Sequence, residues 1–487
     1  MLLCEILEGI NTLEYRISLD MEIAGIASDS RKVKSGYVFV AINGENTDGN
    51  LYIDEAIKNG AVAIIGDCCV NEEKYIRVEN ARRALAKIWS NYYKKPDKDM
   101  TIIAITGTNG KTSTAYCLYK ILRDNNVSCG LISTIECLIN DKKIETNGGS
   151  DVSDKYSAMT TPDPEILYYL LNKMKENNVK CLIMEASSHA LAQFKLDFLN
   201  IEIGIFTNLS REHLDFHKNM ENYFQAKKRL FKICNVGIVN IDDEYGYKLF
   251  QAYRGRMLSV STQANADFYA KKIKCLSRGT EFVLQSSDED LKIKTSLYGT
   301  INVYNMLLAI SCANALGIRL KSIVKSAKSI VIRGRMEKFK GRNIFIDYAH
   351  TPNATESILK TVKQIFPKRK IITVFGCGGD RDKGKRSEIG AICSKYSDYM
   401  VITSDNSRSE STENIVKDIL KGIDKNSSYV VIENRHHAIE YAVKHAKKND
   451  IVLLLGKGHE DYEITSAGKH HFDEREVLTE VLSNDRA

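Results

Sequence analysis

Residues 102–114 read Ile-Ile-Ala-Ile-Thr-Gly-Thr-Asn-Gly-Lys-Thr-Ser-Thr, a β-branched run followed by a glycine loop that ends in Lys111 and Thr112. Glycines let backbone N–H groups approach phosphate oxygens, a lysine supplies a cation, and a threonine hydroxyl can ligate Mg²⁺ at a helix N-terminus. Ile105 stands where the common P-loop pattern has its first glycine, so this loop is a shorter variant. The candidate nucleotide-binding residues are Gly107, Thr108, Asn109, Gly110, Lys111, Thr112 and Ser113.

The surroundings of the loop favour nucleotide binding over an ordinary turn. A buried strand precedes it, and apolar residues follow it at helical spacing, namely Ala115, Leu118, Ile121 and Leu122. Strand, loop and helix in this order are the context that the motif requires.

The whole chain has 487 residues, which suggests about three domains of roughly 100–200 residues each. β-Branched runs alternate with amphipathic stretches, and this alternation predicts an α/β fold with a mainly parallel sheet. We expect domains at 1–98, 99–332 and 333–487, with a polar linker at Lys94–Lys98. Predicted strands include Ile102–Thr106, Cys181–Met184, Ile203–Thr207, Val236–Asn240, Ile344–Ile346, Ile371–Phe375, Met400–Ile402 and Ile451–Leu455.

Composition excludes several classes of protein. The N-terminus lacks a basic region followed by an apolar stretch, and no run approaches the ~20 apolar residues of a membrane span, so we expect a cytoplasmic protein. Twelve cysteines without a Cys-x-x-Cys pair argue against a zinc site and a disulfide scaffold. A net charge of +7 is small for this length, and the basic clusters lack neighbouring aromatics, so no nucleic-acid partner is expected.

Polar clusters follow several predicted strands. Ligands of open parallel sheets bind at the carboxyl ends of the strands, so these clusters are candidate sites. A single glutamate or histidine there would be read as solvated loop, but five clusters favour chemistry. They are Glu185–His189, Thr207–Asp215, Gly376–Asp382, Ser404–Arg408 and Gly456–Glu460.

Together these residues resemble the Mur ligases, the ATP-dependent amide-bond ligases of peptidoglycan precursor synthesis. The resemblance runs from Ser28–Arg31 nearly to the C-terminus. It implies an N-terminal domain for a UDP-sugar, a central ATPase, and a C-terminal Rossmann-like domain that brings an amino acid. The segments that carry it are Thr106–Thr112, Thr160–Pro162, Glu185–His189, Thr207–His217, Asn302–Asn305, Gly334–Glu337, Asp347–Pro352 and Gly456–Glu460.

The resemblance also implies a mechanism. A substrate carboxylate attacks the γ-phosphate of ATP, an amine attacks the resulting acyl phosphate, and ADP and phosphate leave. Thr112 and Glu185 would hold one Mg²⁺, and Glu185, His213 and Lys227 a second, with Lys227 carbamylated on Nζ to N6-carboxylysine by CO₂. The carbamate is anionic, whereas an ammonium would repel Mg²⁺. Without the resemblance, Lys227 would be read as part of a solvated basic helix face.

Further roles follow from the same resemblance. Asn302, Asn305 and Asp347 would bind ATP, and Arg335 joins Lys111, Glu185, His213 and Lys227 as a catalytic candidate that would complete the phosphate site after domain closure. The UDP-muramyl-peptide candidates are Ser30, Thr160, Thr161, Ser187, Gln193 and Lys195. Lys195 stands where many relatives have arginine, which keeps the charge but loses the bidentate fork.

The predicted acceptor is meso-diaminopimelate, whose distal end bears an amine and a carboxylate. Arg408 in Asp405-Asn406-Ser407-Arg408 supplies the planar fork that this carboxylate needs, and lysine-adding relatives lack that arginine. In diaminopimelate-adding members of the family the motif reads Asp-Asn-Pro-Arg. Ser407 stands here in place of that proline, which removes a constraint on φ but leaves the charge of Arg408 in place. The amino-acid-binding candidates are Arg381, Asp405, Asn406, Ser407, Arg408, Gly456 and Glu460.

Four alternatives stay open. The chain could be an L-lysine-adding member of the family or a specialised paralogue. It could be a folylpolyglutamate synthetase, although that enzyme lacks the UDP-binding first domain that Ser28–Arg31 indicates. It could also be a P-loop switch or motor, whose phosphate release would respond to nucleic acid. The expected partners are small-molecule substrates, and no oligomer is required.

Overall fold

A computed structural model describes residues 1–44, 47–144, 159–263, 265–286 and 289–484. The chain divides into two compact units. The first unit is Met1–Phe268 with Leu308–Ile318, and the second is Tyr269–Leu307 with Arg319–Ala487. Within the described residues, no helix is long and apolar enough to cross a membrane.

The first unit begins with a five-stranded sheet. Its strands lie in the spatial order Thr12–Tyr15, Tyr75–Val78, Ala61–Gly66, Tyr37–Val40 and Gly25–Ala27. The last four are parallel, and Thr12–Tyr15 pairs antiparallel with its neighbour. The helix Ala81–Tyr92 begins where the Asn80 side chain accepts a hydrogen bond from the N–H of Arg83. The other helices here are Leu3–Ile6 and Ile53–Lys58, with 3₁₀ turns at Ser30–Lys32, Gly49–Tyr52 and Pro96–Asp99.

A larger, mainly parallel sheet follows in the same unit. Its strands lie in the order Met257–Ser261, Cys234–Asn240, Ile201–Phe206, Thr101–Thr106, Cys181–Glu185, Cys129–Ile132, Cys137–Ile139 and Lys142–Lys143. The first six are parallel, and the last two turn back antiparallel. The helices are Lys111–Asp124, Pro164–Glu176, Ser188–Ala192, Leu214–His217, Met220–Lys228, Leu230–Ile233 and Glu244–Ala252. The predicted α/β class with mainly parallel strands is confirmed.

The segment 94–98 differs from the prediction of a polar linker. Pro96 and Asp97 are buried in the 3₁₀ turn Pro96–Asp99, and the Asp97 carboxylate accepts a hydrogen bond from the N–H of Asn200 at 3.1 Å. Burial raises the pKa of Asp97, opposed by that hydrogen bond. Nothing in the local sequence indicated this, because a segment whose aspartate binds a distant backbone N–H has the same composition as a solvated loop.

The second unit holds a six-stranded sheet. Its order is Glu337–Lys338, Ile344–Asp347, Ile451–Leu455, Ile371–Phe375, Tyr399–Ile402 and Tyr429–Val431, and only the first of these is antiparallel. Alternate residues of each strand enter different cores: Phe375 packs in one and Val374 in the other. The helices are Leu320–Ser326, Pro352–Ile365, Gly384–Tyr396, Thr412–Leu420, Arg435–His445 and Glu474–Asn484.

Three further elements complete this unit. The antiparallel strands Phe268–Leu276, Gly279–Gln285 and Asp290–Thr295 lie almost entirely in it. The helix Thr300–Ala315 has residues in both units. A hairpin of Tyr462–Thr465 and Gly468–His471 follows the central strand Ile451–Leu455.

A buried ion pair joins the strand ends of the second unit to its last helix. The Arg435 and Glu474 side chains are both fully buried and lie 2.7 Å apart. Arg435 also donates to the carbonyls of Ser404 and Leu455 at 3.0 and 2.7 Å. Ser404 follows the strand Tyr399–Ile402, and Leu455 ends the strand Ile451–Leu455. The Arg435 guanidinium therefore links the candidate polar clusters at the ends of these two strands.

We expect Arg435→Met to lower the free energy of unfolding by about 3–5 kcal/mol, because it leaves the Glu474 carboxylate buried without its partner. The urea transition followed by far-UV circular dichroism measures this. The exposed pair Lys417–Glu413 offers the control, since Lys417→Met should cost about 1 kcal/mol or less. Equal losses in the two variants would contradict a structural role for the buried pair.

Candidate active site

The glycine loop has the backbone that its sequence predicts. Gly107 and Gly110 have φ of +146° and +88°, in the region that favours glycine. A Cβ on Gly107 would lie 1.8 Å from Thr207 Oγ1, so no side chain fits there. The loop therefore passes directly against the end of the neighbouring strand Ile201–Phe206.

Thr207 and Asn208 hold the loop in place. The N–H of Thr108 donates to the Asn208 carbonyl at 2.8 Å, and the N–H of Asn109 donates to Asn208 Oδ1 at 3.0 Å. In return Thr207 Oγ1 donates to the Asn109 carbonyl at 2.6 Å. These contacts arise because the two strands are parallel neighbours whose carboxyl ends coincide. The cradle is thus fixed by contacts within this unit.

Two lysines meet at one carbonyl of the loop. Lys111 Nζ donates to the carbonyls of Gly107 and Thr108 at 2.9 and 3.0 Å, and Lys227 Nζ donates to the Gly107 carbonyl at 2.7 Å. Thr112 and Ser113 follow in the first turn of the helix Lys111–Asp124 and are buried. Two lysine side chains thus lie beside the place where phosphate oxygens are expected.

Lys227 is fully enclosed. Its side chain is 1% exposed, and Nζ lies 4.7 Å from the ring centroid of Tyr223, whose hydroxyl is 3.2 Å from Thr108 Oγ1. Burial lowers the pKa of Lys227 well below its usual value, and the charge of Lys111 lowers it further, against the opposing effect of Glu212. Both effects make the neutral amine more accessible than at an exposed lysine, and this is the form that reacts with CO₂.

Glu185 ends the strand on the other side of the loop, in register with Ile105. Its carboxylate is fully buried and accepts hydrogen bonds from Thr134, from N–H at 2.9 Å and from Oγ1 at 3.1 Å. In the described part of the chain, the hydrogen-bond donors to the Glu185 carboxylate are thus the N–H and the hydroxyl of Thr134, which are both neutral. A buried carboxylate without a cationic partner is costly, and carboxylate oxygen is a preferred Mg²⁺ ligand, so Glu185 fits a bound Mg²⁺.

His213 stands at the start of the short helix Leu214–His217, with a φ of +55°. Its side chain is 45% exposed, and its ring centroid lies 5.1 Å from that of His189. Partial desolvation lowers the pKa of His213, and Glu212 opposes the shift. Among the described residues, no three His, Cys, Asp or Glu side chains form a metal cluster. Mg²⁺ commonly keeps waters and substrate phosphates as ligands, so the residues fit a metal shared with a nucleotide.

The UDP-muramyl-peptide candidates fall into two places. Thr160 Oγ1 lies 3.1 Å from Thr134 Oγ1, and Thr161 Oγ1 donates to the Glu185 carbonyl at 2.8 Å and accepts from the N–H of Ser187 at 2.9 Å. This group therefore adjoins Glu185. Ser30 instead lies in the five-stranded sheet region, where its hydroxyl donates to Glu55 at 2.6 Å.

Gln193 and Lys195 follow the helix Ser188–Ala192. The N–H of Gln193 donates to the His189 carbonyl, and the buried Lys195 pairs with Asp163 at 2.6 Å. A single ammonium satisfies this one carboxylate oxygen, so the pairing with Asp163 does not require the fork of an arginine.

Four candidates of the second unit form two local groups. Asn302 and Asn305 lie one turn apart on the helix Thr300–Ala315, and Asn305 Nδ2 donates to Asn302 Oδ1 at 2.9 Å. The buried Asp347 carboxylate accepts from the N–H groups of Met336 and Ala349 at 2.7 and 2.8 Å. Burial raises the pKa of Asp347, and Arg335 opposes this shift.

The loops that follow two strands of the sheet, Tyr399–Ile402 and Ile451–Leu455, bring Asp405, Asn406, Gly456 and Glu460 together. Asn406 Nδ2 donates to Glu460 Oε2 at 2.8 Å, and the N–H of Asn406 donates to Asp405 Oδ1 at 2.6 Å. A Cβ on Gly456, whose φ is +111°, would lie 2.6 Å from Asp405 Oδ2. Position 456 thus requires glycine, because the Asp405 carboxylate lies where a side chain would begin.

The pKa values of the two carboxyl groups shift in opposite directions. Burial raises the pKa of Glu460 to about 7, and the charge of Asp405 adds to the shift. Burial acts to raise the pKa of Asp405 as well, but the positive charges of Lys457 and Arg435 outweigh it and leave this pKa lowered. Asp405 is therefore the firmly ionised partner.

Arg408 extends from a left-handed residue of the same loop, with φ of +53°. Its Nη1 donates to the carbonyls of Gly379 and Asn406 at 2.8 and 3.3 Å, and its N–H donates to the Ile464 carbonyl at 3.0 Å. The Arg381 side chain is exposed, and its stem lies near the same Gly378 as the Arg408 guanidinium. Ser407 is buried, and its carbonyl accepts from the N–H of Glu410.

Three family models match the chain: the Mur ligase family catalytic domain at 22–93, the Mur ligase middle domain at 105–313, and the Mur ligase glutamate ligase domain at 334–458. A UDP-N-acetylmuramoyl-L-alanyl-D-glutamate–2,6-diaminopimelate ligase of Caldanaerobacter subterraneus subsp. tengcongensis is 42% identical over 99% of both chains. The chain belongs to the Mur ligase family.

Other members of the family match as completely. A ligase of the same name from Clostridioides difficile is 42% identical over 99% of this chain and 100% of its own. A solved structure of a ligase with that name superposes with a TM-score of 0.72 at 28% identity, over 100% of this chain and 99% of its own. The predicted membership of the Mur ligase family is thus confirmed.

The sequence missed several residues that shape the site of this Mur ligase. Thr134 binds Glu185, Tyr223 encloses Lys227, and Lys457 lies under Asn406. Thr134 could have been found, because it follows the strand Cys129–Ile132 as the other clusters follow theirs. Tyr223 carried no such signal, since an aromatic on an amphipathic helix indicates only core packing. The roles of the candidate residues stay predictions.

Proposed function

We propose that this chain is an ATP-dependent ligase that adds meso-diaminopimelate to UDP-N-acetylmuramoyl-L-alanyl-D-glutamate during peptidoglycan precursor synthesis. Relatives that carry this activity in their names match nearly the full length. The observation that carries the choice of amino acid is Arg408 in one loop with the buried Asp405 and near Glu460. A guanidinium beside carboxylates suits an end group that is both an acid and an amine.

The chemistry proceeds in two transfers. A carboxylate oxygen of the UDP-linked substrate attacks the γ-phosphorus of ATP, the bond to the β-phosphate oxygen breaks, and ADP leaves. The amine of diaminopimelate then attacks the acyl carbon, phosphate leaves, and the nitrogen loses a proton. Both the attacking carboxylate and ATP are anions, so Lys111 and the N–H groups of Gly110–Thr112 would offset the repulsion in the first transfer.

Mg²⁺ would be held by Thr112, Glu185, His213 and Lys227 as its carbamate. When bound, the metal supplies positive charge at the phosphate oxygens. In forming the carbamate, the neutral Lys227 amine bonds through Nζ to the carbon of CO₂ and loses one proton, so that the product is an anion. The lowered pKa of the Lys227 amine supports this assignment.

The other roles belong to the same proposal. Ser30, Thr160, Thr161, Ser187, Gln193 and Lys195 would bind the UDP-muramyl-peptide, and Asn302, Asn305, Arg335 and Asp347 would act on the nucleotide. We also propose the division into a UDP-sugar domain at 1–98, an ATPase domain at 99–332 and an amino-acid domain at 333–487. Because both ATP and the UDP-linked precursor are cytoplasmic compounds, the reaction belongs in the cytoplasm.

A phosphate-release assay tests the function. ATP and UDP-N-acetylmuramoyl-L-alanyl-D-glutamate are supplied with meso-diaminopimelate, L-lysine or no amine, and the product is identified by mass spectrometry. Release that requires both the UDP-linked substrate and meso-diaminopimelate supports the proposal. Equal use of L-lysine would overturn the choice of amino acid, and release stimulated by DNA or RNA instead would favour a P-loop motor.

We expect Arg408→Ala to raise KM for meso-diaminopimelate about 30-fold or more, because losing a charge-assisted pair in a closed site costs about 2–5 kcal/mol. Any background use of L-lysine should change far less, since lysine lacks the distal carboxylate. Steady-state kinetics with both amino acids measure this difference.

Two further variants serve as controls, because residue 408 has a left-handed backbone that alanine could alter. Arg408→Lys keeps the charge but loses the fork, and it should recover only part of the loss. Arg342→Ala removes an exposed arginine of the same unit and should change neither KM. The assignment of Arg408 fails if its alanine variant discriminates between the two amino acids as the native protein does.

A further inference from the structure

Lys457 is a fully buried lysine directly below the strand-end cluster of Asp405, Asn406 and Glu460. It follows Gly456 at the end of the central strand Ile451–Leu455. Its Nζ donates to Asn406 Oδ1 at 3.0 Å and to the Tyr462 carbonyl at 2.7 Å. The proposed reaction does not itself use Lys457.

The lysine determines which way the Asn406 amide points. Asn406 Oδ1 receives two donors, Lys457 Nζ at 3.0 Å and the N–H of Ile464 at 2.9 Å. Neither an ammonium nor a backbone N–H can accept a hydrogen bond, so the atom facing them must be the oxygen. Asn406 Nδ2 is thereby turned toward Glu460 Oε2, to which it donates at 2.8 Å. The position of the Glu460 carboxylate thus depends on Lys457 through Asn406.

The same ammonium offsets two buried negative charges. Lys457 Nζ lies 3.6 Å from Glu460 Oε2 and 3.9 Å from Asp405 Oδ1. Two carboxylates enclosed together repel one another, and the usual result is that one of them binds a proton. The nearest other buried cation, Arg435, is already paired with Glu474. Among the described residues, Lys457 is therefore the cation that lies within 4 Å of both carboxylates.

The charge of Lys457 connects this cluster to the diamino acid. Burial raises the pKa of Glu460 and Lys457 lowers it, so removing Lys457 would make Glu460 hold a proton more tightly. A protonated Glu460 attracts a cation less than its carboxylate does. Arg408 at the rim of the same loop would still attract a carboxylate.

Building on the proposed function, we propose that Lys457 is a positioning residue of the diamino-acid site. It orients the Asn406 amide and offsets the negative charge of Asp405 and Glu460, so that they receive the ammonium at the distal end of the substrate while Arg408 receives the carboxylate. A purely structural lysine would hold the Tyr462–His471 hairpin in place without affecting one substrate more than another.

Lys457→Met tests this in the full-length protein. KM for meso-diaminopimelate is expected to rise about 30-fold or more, from the loss of a buried charge contact. KM for ATP and for UDP-N-acetylmuramoyl-L-alanyl-D-glutamate should stay within about threefold, a limit that corresponds to a small surface effect. The control is Lys469→Met on the exposed hairpin strand Gly468–His471, which should leave all three values unchanged.

Lys457→Gln separates charge from hydrogen bonding, because a glutamine amide still donates but carries no charge. It should fold with a native far-UV circular dichroism spectrum and show most of the same rise in KM. In a background of Glu460→Gln, adding Lys457→Met should raise KM only about threefold, since contacting residues that act together are not additive.

The outcomes are distinct. A native protein that does not use meso-diaminopimelate at all would defeat the proposed function, and with it the substrate of this inference. If the native protein uses it, a similar rise in KM for all three substrates, a fully additive double variant, or failure of both Lys457 variants to fold would each overturn the positioning role.

Discussion

Lys111→Ala is expected to lower kcat/KM for ATP by about 10²–10³-fold or more, the effect of removing one donor from a preorganised anion site. The Lys111 ammonium is held over the loop by the carbonyls of Gly107 and Thr108. The backbone N–H groups of the loop are dipoles, whereas Lys111 adds a full positive charge on a flexible side chain that can move with the phosphate groups. Phosphate release at saturating diaminopimelate, with ATP varied, measures the loss.

The matched control is Lys120→Ala on the same helix. Lys120 pairs with Asp124 at the surface, so its loss should leave ATP kinetics unchanged and cost about 0.5 kcal/mol of stability. Near-native ligation by Lys111→Ala at both low and saturating ATP would remove the phosphate-binding assignment of the loop. A raised KM with unchanged kcat would instead show that Lys111 binds ATP without acting on the transfer.

The sequence was sufficient to predict the elements that repeat a simple pattern. The strand Ile371–Phe375 was predicted at its observed bounds, and Thr101–Thr106 and Cys181–Glu185 each to within a residue. These strands are buried on both faces, so an apolar β-branched run marks them from end to end. The glycine loop was predictable for a related reason, since its conformation excludes every residue except glycine at position 107.

The sequence could not give the contacts between segments that are distant along the chain. Thr134 reaches Glu185 across 51 positions, and Lys457 reaches Asn406 across 51 as well. Such partners are determined by the spatial order of the strands in the sheet, and local composition carries no information about that order. The packed turn at Asp97 was misread as a linker for the same reason, because its partner Asn200 lies 103 positions away.

The second large effect is expected at Lys227. Lys227→Ala should lose about 10²-fold or more in kcat, comparable to the loss of a group that stabilises transferred charge, and a small carboxylate such as formate or acetate in the buffer should restore part of it. Alanine leaves a space where the carbamate oxygens would stand, and a free carboxylate presents oxygens of the same charge. ¹³C NMR of the native protein in labelled bicarbonate should show a carbamate signal that the variant lacks.

The structure explains why this particular lysine would be modified. Lys111 and Lys227 both donate to the carbonyl of Gly107, so two ammonium groups would lie close together in an enclosed site. Carbamylation turns that repulsion into attraction, because the product at Lys227 is an anion facing the cation of Lys111. Lys228→Ala, one position along the same helix and half-buried, is the control and should retain activity without added carboxylate. Full activity of Lys227→Ala in plain buffer, with no carbamate signal in the native protein, would mean that the site recruits its metal without this residue.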